Sequence, residues 1–385
     1  MKLQNKTPLL DLFRCRLFLI NVLILITYFS SSGQMFNESV KNKPLRLGII
    51  GLAHDHVHSV FQNTSNPDIE IVGISESDTT LVTRYVNQYH LDRKIIFGSI
   101  GELIAKAKPE AVAAFTPISD HIKVVRICAP QKIHVMVEKP LAINYQQAKE
   151  MSDLARKWGI EIITNYETTW YPVTRDAYTK TIEDKLIGDP RKIVVHDGHK
   201  GPIEIGCSKE FTNWLTDPNL SGGGAIIDFG CYGTNLISYI MNGERPISVT
   251  AITQQIKPDI YPKVDDEATI IITYPKMQGI IQASWNWPVS RKDMEIYGKT
   301  GYIITIDNVH MKLRASEQTR EETLIIDMDK AIAQNPFSFF TSVVRGKIKL
   351  AANDPSSLSL NLVAMEILDA AVQSAKSGKT IYLKK

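Results

Sequence analysis

The sequence predicts an α/β protein in two parts: a doubly wound parallel sheet, then an α+β domain built on a large, mainly antiparallel open sheet. Three observations predict it. From Pro44 to about Asn165, short runs rich in Ile and Val alternate with helical stretches, the order of successive strand–helix units. Those runs are apolar throughout, as strands buried on both faces are. Beyond residue 248, strand-like runs follow one another with short turns and no helix between them.

The chain has 385 residues, enough for two domains, with 44% hydrophobic and 22% charged residues. That composition excludes wholesale disorder, and a net charge of +3 offers no electrostatic footprint for nucleic acid. Residues 1–33 read as a secretory signal peptide: Lys2, Lys6, Arg14 and Arg16 precede the apolar run 17–29, and Ser30–Gly33 follow. The run is shorter than the roughly 20 residues of a membrane span. Export to a periplasm or to the exterior is expected, with no membrane contact after cleavage. An uncleaved anchor, or a misjudged start and a cytoplasmic protein, is the alternative. Residues 34–44 form a linker. No two of Cys15, Cys128, Cys207 and Cys231 are spaced as C-x-x-C, so neither a zinc knuckle nor a disulfide framework is expected.

Residues 45–165 make the first domain. Strands are expected at 45–50, 69–74, 111–115, 134–137 and 160–164, and helices at 56–62, 79–89, 99–106, 121–129 and 145–158. Residues 166–385 make the second, whose last helix returns toward the first. A helix at 173–186 and a strand at 192–195 lead into a Gly-rich loop and one helix at 226–241. Strands follow at 248–255, 268–274, 279–285, 292–297, 302–306, 312–315 and 324–327, and helices at 336–345 and 355–374 close the chain. Asp354-Pro355 is the expected start of the last helix.

Four motifs carry chemistry. Gly51-Leu-Ala53-His54-Asp-His56 closes a strand and opens a helix, where a pyrophosphate would meet backbone N–H groups, with Ala53 and His56 standing where glycines are usual. Glu76, at the tip of the second strand, suits the ribose hydroxyls and repels a 2′-phosphate, favouring NAD over NADP; helix capping by Asp78 or Ser77 is the plain alternative. Thr116-Pro117 and Glu138-Lys139-Pro140 lie at carboxyl ends of parallel strands, where open sheets bind ligands. In Gly222-Gly223-Gly224-Ala-Ile-Ile-Asp228-Phe-Gly-Cys-Tyr232-Gly-Thr-Asn235, the glycines let backbone approach a ligand. Asp228, Tyr232 and Asn235 would share one helix face suited to a polyol.

In this order the motifs resemble the Gfo/Idh/MocA family, over about residues 45–385. The resemblance implies a Rossmann domain, a second domain whose open sheet packs against another subunit, and NAD(P)-dependent redox chemistry on sugars or cyclitols. By position, Lys139 and Asp228 match the family's lysine and aspartate, and Tyr232 stands where many members carry histidine. The catalytic set expected is therefore Lys139, Asp228 and Tyr232, with Lys139 and Tyr232 each lowering the other's pKa. Lys139, taken as a cleft residue, is expected to support no core. Gly51, Ala53, His54, Glu76, Thr116, Pro117, Glu138 and Lys139 would hold the cofactor, and Tyr166, Trp170, His196 and Asn235 the substrate, with Tyr171 and His199 on the same expected substrate wall. His54, His56 and His58 invite a metal reading, but strand–helix alternation stops too early for the barrel that such a hydrolase needs, and no metal is expected. The expected activity is oxidation or reduction at a carbinol of a sugar, glycoside or cyclitol. The alternatives are an NAD-dependent glycosidase and a non-catalytic sugar- or cofactor-binding protein.

Overall fold

A computed structural model describes residues 43–62, 66–327 and 335–383; the expected signal segment and Cys15 lie outside the described residues. Six parallel strands form the first sheet: β1 (Leu45–Ile50), β2 (Ile69–Ser75), β3 (Ile96–Phe97), β4 (Ala111–Ala114), β5 (His134–Glu138) and β6 (Ile162–Asn165). Their order, 3-2-1-4-5-6, reverses between β1 and β4, which opens a crevice over the strand ends. The helices α1 (His58–Gln62), α2 (Thr79–Tyr89), α3 (Ile100–Ala107), α4 (His121–Cys128) and α5 (Tyr145–Trp158) connect them. The two-residue β3 escapes sequence patterning because it has no room to show a period.

The chain crosses over through α6 (Pro172–Tyr178), and a π turn over Thr179–Glu183 replaces the rest of the helix expected to residue 186. The second sheet has nine strands. β7 (Pro190–Gly198) lies inside it, parallel to β10 (Gln278–Ser284) and antiparallel to β11 (Arg291–Gly298). β8 (Ser248–Gln254) and β9 (Glu267–Thr273) extend one side; β12 (Tyr302–Thr305), β13 (His310–Arg314) and β14 (Glu322–Ile325) extend the other. Between β7 and β8 run α7 (Lys209–Leu215), α8 (Pro218–Ser221), α9 (Ala225–Asp228) and α10 (Gly230–Ile240). The first two of these were not expected.

The last helices tie the two sheets together. α11 (Pro336–Val344) belongs to the first sheet: Phe337, Phe339, Phe340 and Val343 join Leu45, Leu47 and Ile49 in one core. Arg345 adds two bonds to Glu110, at 2.7 and 2.8 Å. Each fully buried apolar side chain there is worth roughly 1.5–3 kcal/mol, so the first domain is completed by residues far along the chain. α12 (Leu358–Ser377) packs on α10, α5 and β8, and β15 (Ile381–Tyr382) pairs with β8. Its cap is Ser357, not the Asp354-Pro355 start expected: Ser357 accepts the Leu360 N–H, while Asp354 takes the Ser356 N–H and the Arg175 guanidinium.

Candidate active site

The β1 turn is set by Gly51. Its φ is +79°, and a Cβ there would lie 2.8 Å from Thr116 Cγ2 and 3.0 Å from the Phe115 carbonyl oxygen. Glycine is needed because the β1 and β4 ends nearly touch. Glu76 closes the other side, accepting the N–H groups of Leu52, Ser77 and Asp78 at 2.9, 2.8 and 2.9 Å. Asp78 caps α2, so helix capping falls to it, and Glu76 stays half-buried beside the turn.

The rest of the turn is held by the chain itself. The His54 N–H donates to the Phe115 carbonyl at 3.2 Å, and the Ala53 carbonyl accepts the Trp214 indole N–H at 3.0 Å. Asp55 takes the Ser208 hydroxyl and, at 2.9 Å, the Ser208 N–H. Arg84 pairs with Glu210, and Phe211 and Trp214 pack on the His54 ring. α7 thus covers the turn. A dinucleotide fits the residues present at its ribose end, through Glu76, and at its reactive end, beside Lys139. At the pyrophosphate end, the N–H groups of Gly51, Leu52, His54 and His56 are already bonded within the chain and the Asp55 carboxylate stands nearby, held to α7 at Ser208, so this conformation limits the fit.

Glu138 organises the next layer. It is 1% exposed, receives His56 Nδ1 at 2.9 Å on one oxygen and Asn165 Nδ2 at 2.7 Å on the other. Burial opposes its charge, but His56, Asn165 and Lys139 outweigh it and hold the carboxyl below its usual range. His54, His56 and Glu138 have ligand-type atoms within 4.8 Å of one another. His54 Nδ1, however, accepts the His56 N–H at 3.1 Å. Neutral His54 therefore carries its proton on Nε2, 3.9 Å from Glu138, and that nitrogen has no lone pair for a cation.

Lys139 reaches across to the second domain. Its ammonium pairs with Asp228 Oδ1 and donates to the Asp228 carbonyl at 3.1 Å. The second carboxylate oxygen accepts the Trp285 indole N–H at 3.0 Å. Both carboxylate oxygens of Asp228 are thus engaged, and one of them orients Lys139. Burial favours the neutral amine, but Asp228, with Cys231 and Glu138 adding, holds Lys139 above its ordinary value. Tyr232 lies against it, its ring centre 5.0 Å from Lys139 Nζ and 5.1 Å from Lys292 Nζ. Burial, then Glu167, Cys231, Asp197 and Asp228, push the phenol well above its ordinary value. The expected mutual lowering does not occur: the ion pair keeps Lys139 charged, and Tyr232 remains a phenol.

Four further expectations are corrected. Asp228 and Tyr232 do not share a helix, because the chain breaks at Phe229 between α9 and α10. The glycine run approaches its own chain, since a Cβ on Gly224 would lie 1.7 Å from the Asp265 carbonyl oxygen. Asp265 also binds the N–H groups of Gly224 and Ile226. Asn235 is fully buried and ties α10 to the Pro355 carbonyl and to Asn361, at 2.8 and 3.1 Å. Tyr166 is also fully buried, edge-on to Tyr232, and so lines no cleft.

The other two substrate candidates turn away as well. Trp170 donates to Asn165 at 2.8 Å and packs on Phe339, supporting Glu138 from behind. His196 pairs with Asp293 across the sheet, at 3.0 Å. Strand alternation puts 196 on the outer face, and Asp197, in phase with Ile193 and Val195, on the inner one. Asp197 is fully buried, with no hydrogen-bond partner on either oxygen among the described residues. Burial first, with Glu167 and Asp293 adding, raises it well above its usual value against the opposing pull of Lys292 and Lys139. Its register partner is Lys292, which pairs with Glu167. Glu167, Tyr171, His199, Lys292 and Asn308 line a cleft of about 700 Å³. Tyr171 and His199 were expected in a substrate wall and do line this cleft, whereas Glu167, Lys292 and Asn308 carried no signal in the sequence. Cys128, Cys207 and Cys231 are free thiols.

Residues 45–166 match the family model described as an oxidoreductase family with an NAD-binding Rossmann fold, and residues 177–304 match the GFO/IDH/MocA C-terminal domain. A trans-1,2-dihydrobenzene-1,2-diol dehydrogenase of Xenopus tropicalis is 28% identical over 224 residues, 56% of this chain and 61% of that protein. The match thus spans less than two thirds of that relative. An aldose-aldose oxidoreductase from Caulobacter crescentus, complexed with glycerol, superposes with a TM-score of 0.74 at 20% identity, over 88% of this chain and 100% of that one. An inositol dehydrogenase homolog from Azotobacter vinelandii, complexed with NAD+, gives 0.75 at 16%, over 89% and 98%. These two likenesses speak for the fold. With both family models matched in sequence order and both sheets present, the chain belongs to the Gfo/Idh/MocA oxidoreductase family.

Proposed function

We propose that the protein is an NAD-dependent oxidoreductase acting on a carbinol carbon of a sugar, glycoside or cyclitol. The observation that carries this reading is the buried Lys139–Asp228 pair against Tyr232, at the carboxyl end of the parallel sheet. The cleft of Lys292 and Glu167 lies beside it. The names of similar proteins support the substrate class: a dihydrodiol dehydrogenase, an aldose-aldose oxidoreductase and an inositol dehydrogenase homolog.

Glu76 would hold the ribose hydroxyls, the Gly51–His54 turn with Thr116 and Pro117 the pyrophosphate, and Glu138 with Lys139 the nicotinamide end. When bound, the cofactor supplies the hydride chemistry. The protein supplies charge and position. The Lys139 ammonium, fixed by Asp228, donates to the substrate oxygen and stabilises the charge that develops there. The Tyr232 phenol is a second donor. Lys292 and Glu167 offer a donor and an acceptor to neighbouring hydroxyls. Glu76 would repel a 2′-phosphate, so NAD is preferred.

The outer face of the second sheet exposes Ile252 and Ile271, 73% and 37% accessible, with Tyr297 further along it. We propose that a second copy covers this face, and that the N-terminal segment directs export. The test of function is a polyol, sugar and glycoside panel with added NAD+, followed by NADH fluorescence and product analysis. NADH formation with one of the polyols or sugars is expected. Glycoside cleavage without NADH would favour a redox-neutral glycosidase, and a protein that neither binds NAD nor turns over any of the panel would refute the reading.

A further inference from the structure

Oxidation of a carbinol releases one proton with each hydride, and the buried cluster cannot keep it. Lys139 is already an ammonium and Tyr232 already a phenol, and both are 6% exposed or less. Glu167, at the cleft mouth, is bonded to Lys292 and Tyr171. Burial works against its charge, but Lys292 prevails and makes it a weak base. An acceptor open to solvent is needed.

Four histidines surround the site, and their hydrogen bonds assign their tautomers. His54 Nδ1 accepts the His56 N–H, and His199 Nδ1 accepts the Gly201 N–H at 2.9 Å. In their neutral forms both carry the proton on Nε2, so that nitrogen accepts nothing. His121 donates Nδ1–H to the Leu141 carbonyl at 3.2 Å, which frees Nε2, but the residue is 0% exposed. His56 donates Nδ1–H to the Glu138 carboxylate at 2.9 Å, which leaves a lone pair on Nε2, and its side chain is 38% exposed. Among the described residues around the site, His56 alone combines an acceptor nitrogen with access to solvent. It stands at the third glycine position of the turn, with its ring against His54 and its Nδ1 on Glu138.

We propose that His56, oriented by Glu138, is the proton acceptor through which the site discharges to solvent. This rests on the oxidoreductase reading above. With the nicotinamide bound as hydride acceptor, the carbinol O–H bond would break and its electron pair would form the carbonyl as the hydride leaves the same carbon. The proton passes by water in the cleft to His56 Nε2. The resulting imidazolium keeps its Nδ1–H on Glu138, and bulk water removes the Nε2 proton. A carboxylate–imidazole pair of this kind fixes the tautomer and the orientation of the ring. Asn165 and Trp170 hold the carboxylate in place. The groups that face His56 are Glu138 from β5, His54 from its own turn, and Glu167 from the segment after β6.

The test has two arms. Nitrogen-15 NMR of histidine-labelled full-length protein, with His56 assigned from the His56→Gln variant, should show the Nδ1–H tautomer, altered by Glu138→Gln. An Nε2–H tautomer, or one indifferent to Glu138→Gln, overturns the proposal even if no substrate is turned over. In the second arm, His56→Gln should lower kcat by about 10²-fold or more, abolish the acidic limb of the pH profile, and recover activity when imidazole is added. A His56→Gln enzyme with an unchanged pH profile, or without imidazole rescue, refutes the assignment. Absent turnover in the wild type with the expected tautomer present would sink the oxidoreductase reading and, with it, the acceptor role, leaving the His56–Glu138 pair as structural.

Discussion

Replacing Lys139 tests structure and mechanism together. The ammonium is 7% and the Asp228 carboxylate 6% accessible, so little solvent enters to compensate if one partner is lost. Lys139→Met keeps most of the volume and removes the charge. It leaves Asp228 with the Trp285 N–H alone, and breaking a buried pair in this way costs roughly 3–5 kcal/mol. A domain of this size loses about 2–4 °C of Tm per kcal/mol, so a fall of roughly 6–20 °C is expected. The sequence-based expectation of an indifferent fold is thereby reversed. Adding Asp228→Asn removes the orphaned charge, and the double variant should melt above Lys139→Met alone, a coupling that a thermodynamic cycle measures. Turnover should fall by about 10²–10⁴-fold in both. The pH dependence has a definite sign. Burial opposes the Asp228 charge, but Lys139 prevails and holds the carboxyl below its ordinary value. The pair's stability is therefore complete above the usual carboxylate range and is lost only as pH falls through the lowered value. Calorimetry across acid pH, beside steady-state turnover, checks all of this. A Lys139→Met protein that melts like wild type, with additive double-variant effects, would refute the buried-pair argument. Wild-type kcat would refute the catalytic one.

Three other outcomes follow from the turn. Gly51→Ala should destabilise by about 1–3 kcal/mol, because φ is +79° and the new Cβ meets the Phe115 carbonyl; thermal melts decide. Glu76→Ala should weaken NAD and narrow its advantage over NADP, read by titrating both against apoprotein; tighter NADP than NAD in the wild type would overturn the ribose assignment. Asp55→Ala removes both the anion near the pyrophosphate and the bonds that hold α7 at Ser208. NAD affinity should rise by about tenfold, equivalent to about 1.4 kcal/mol, and α7 should exchange its amide protons faster. Unchanged affinity with unchanged exchange would show that α7 does not restrain the turn.

The sequence by itself determined the two sheets, because strand burial is written in local periodicity. Apolar runs between helical stretches place β1, β2, β4, β5 and β6 within a residue or two, and Gly51, Glu76 and Lys139 announce themselves at strand ends. Membership of the cluster was a matter of tertiary structure. Tyr166, Trp170, His196 and Asn235 are all residues that bind sugars well, and each is turned instead to packing or to another partner. Composition reports what a side chain can do, whereas the face it occupies depends on strand phase and on what packs opposite. Asp197 and His196 are neighbours in sequence and lie on opposite sides of a sheet. Protonation states were also beyond the sequence. The charge on Lys139 depends on an aspartate 89 positions away, and the acceptor nitrogen of His56 on a glutamate 82 positions away. The first coupling arises only when the strand ends of one domain close against the second, and the other only when the first sheet brings the turn after β1 beside the end of β5.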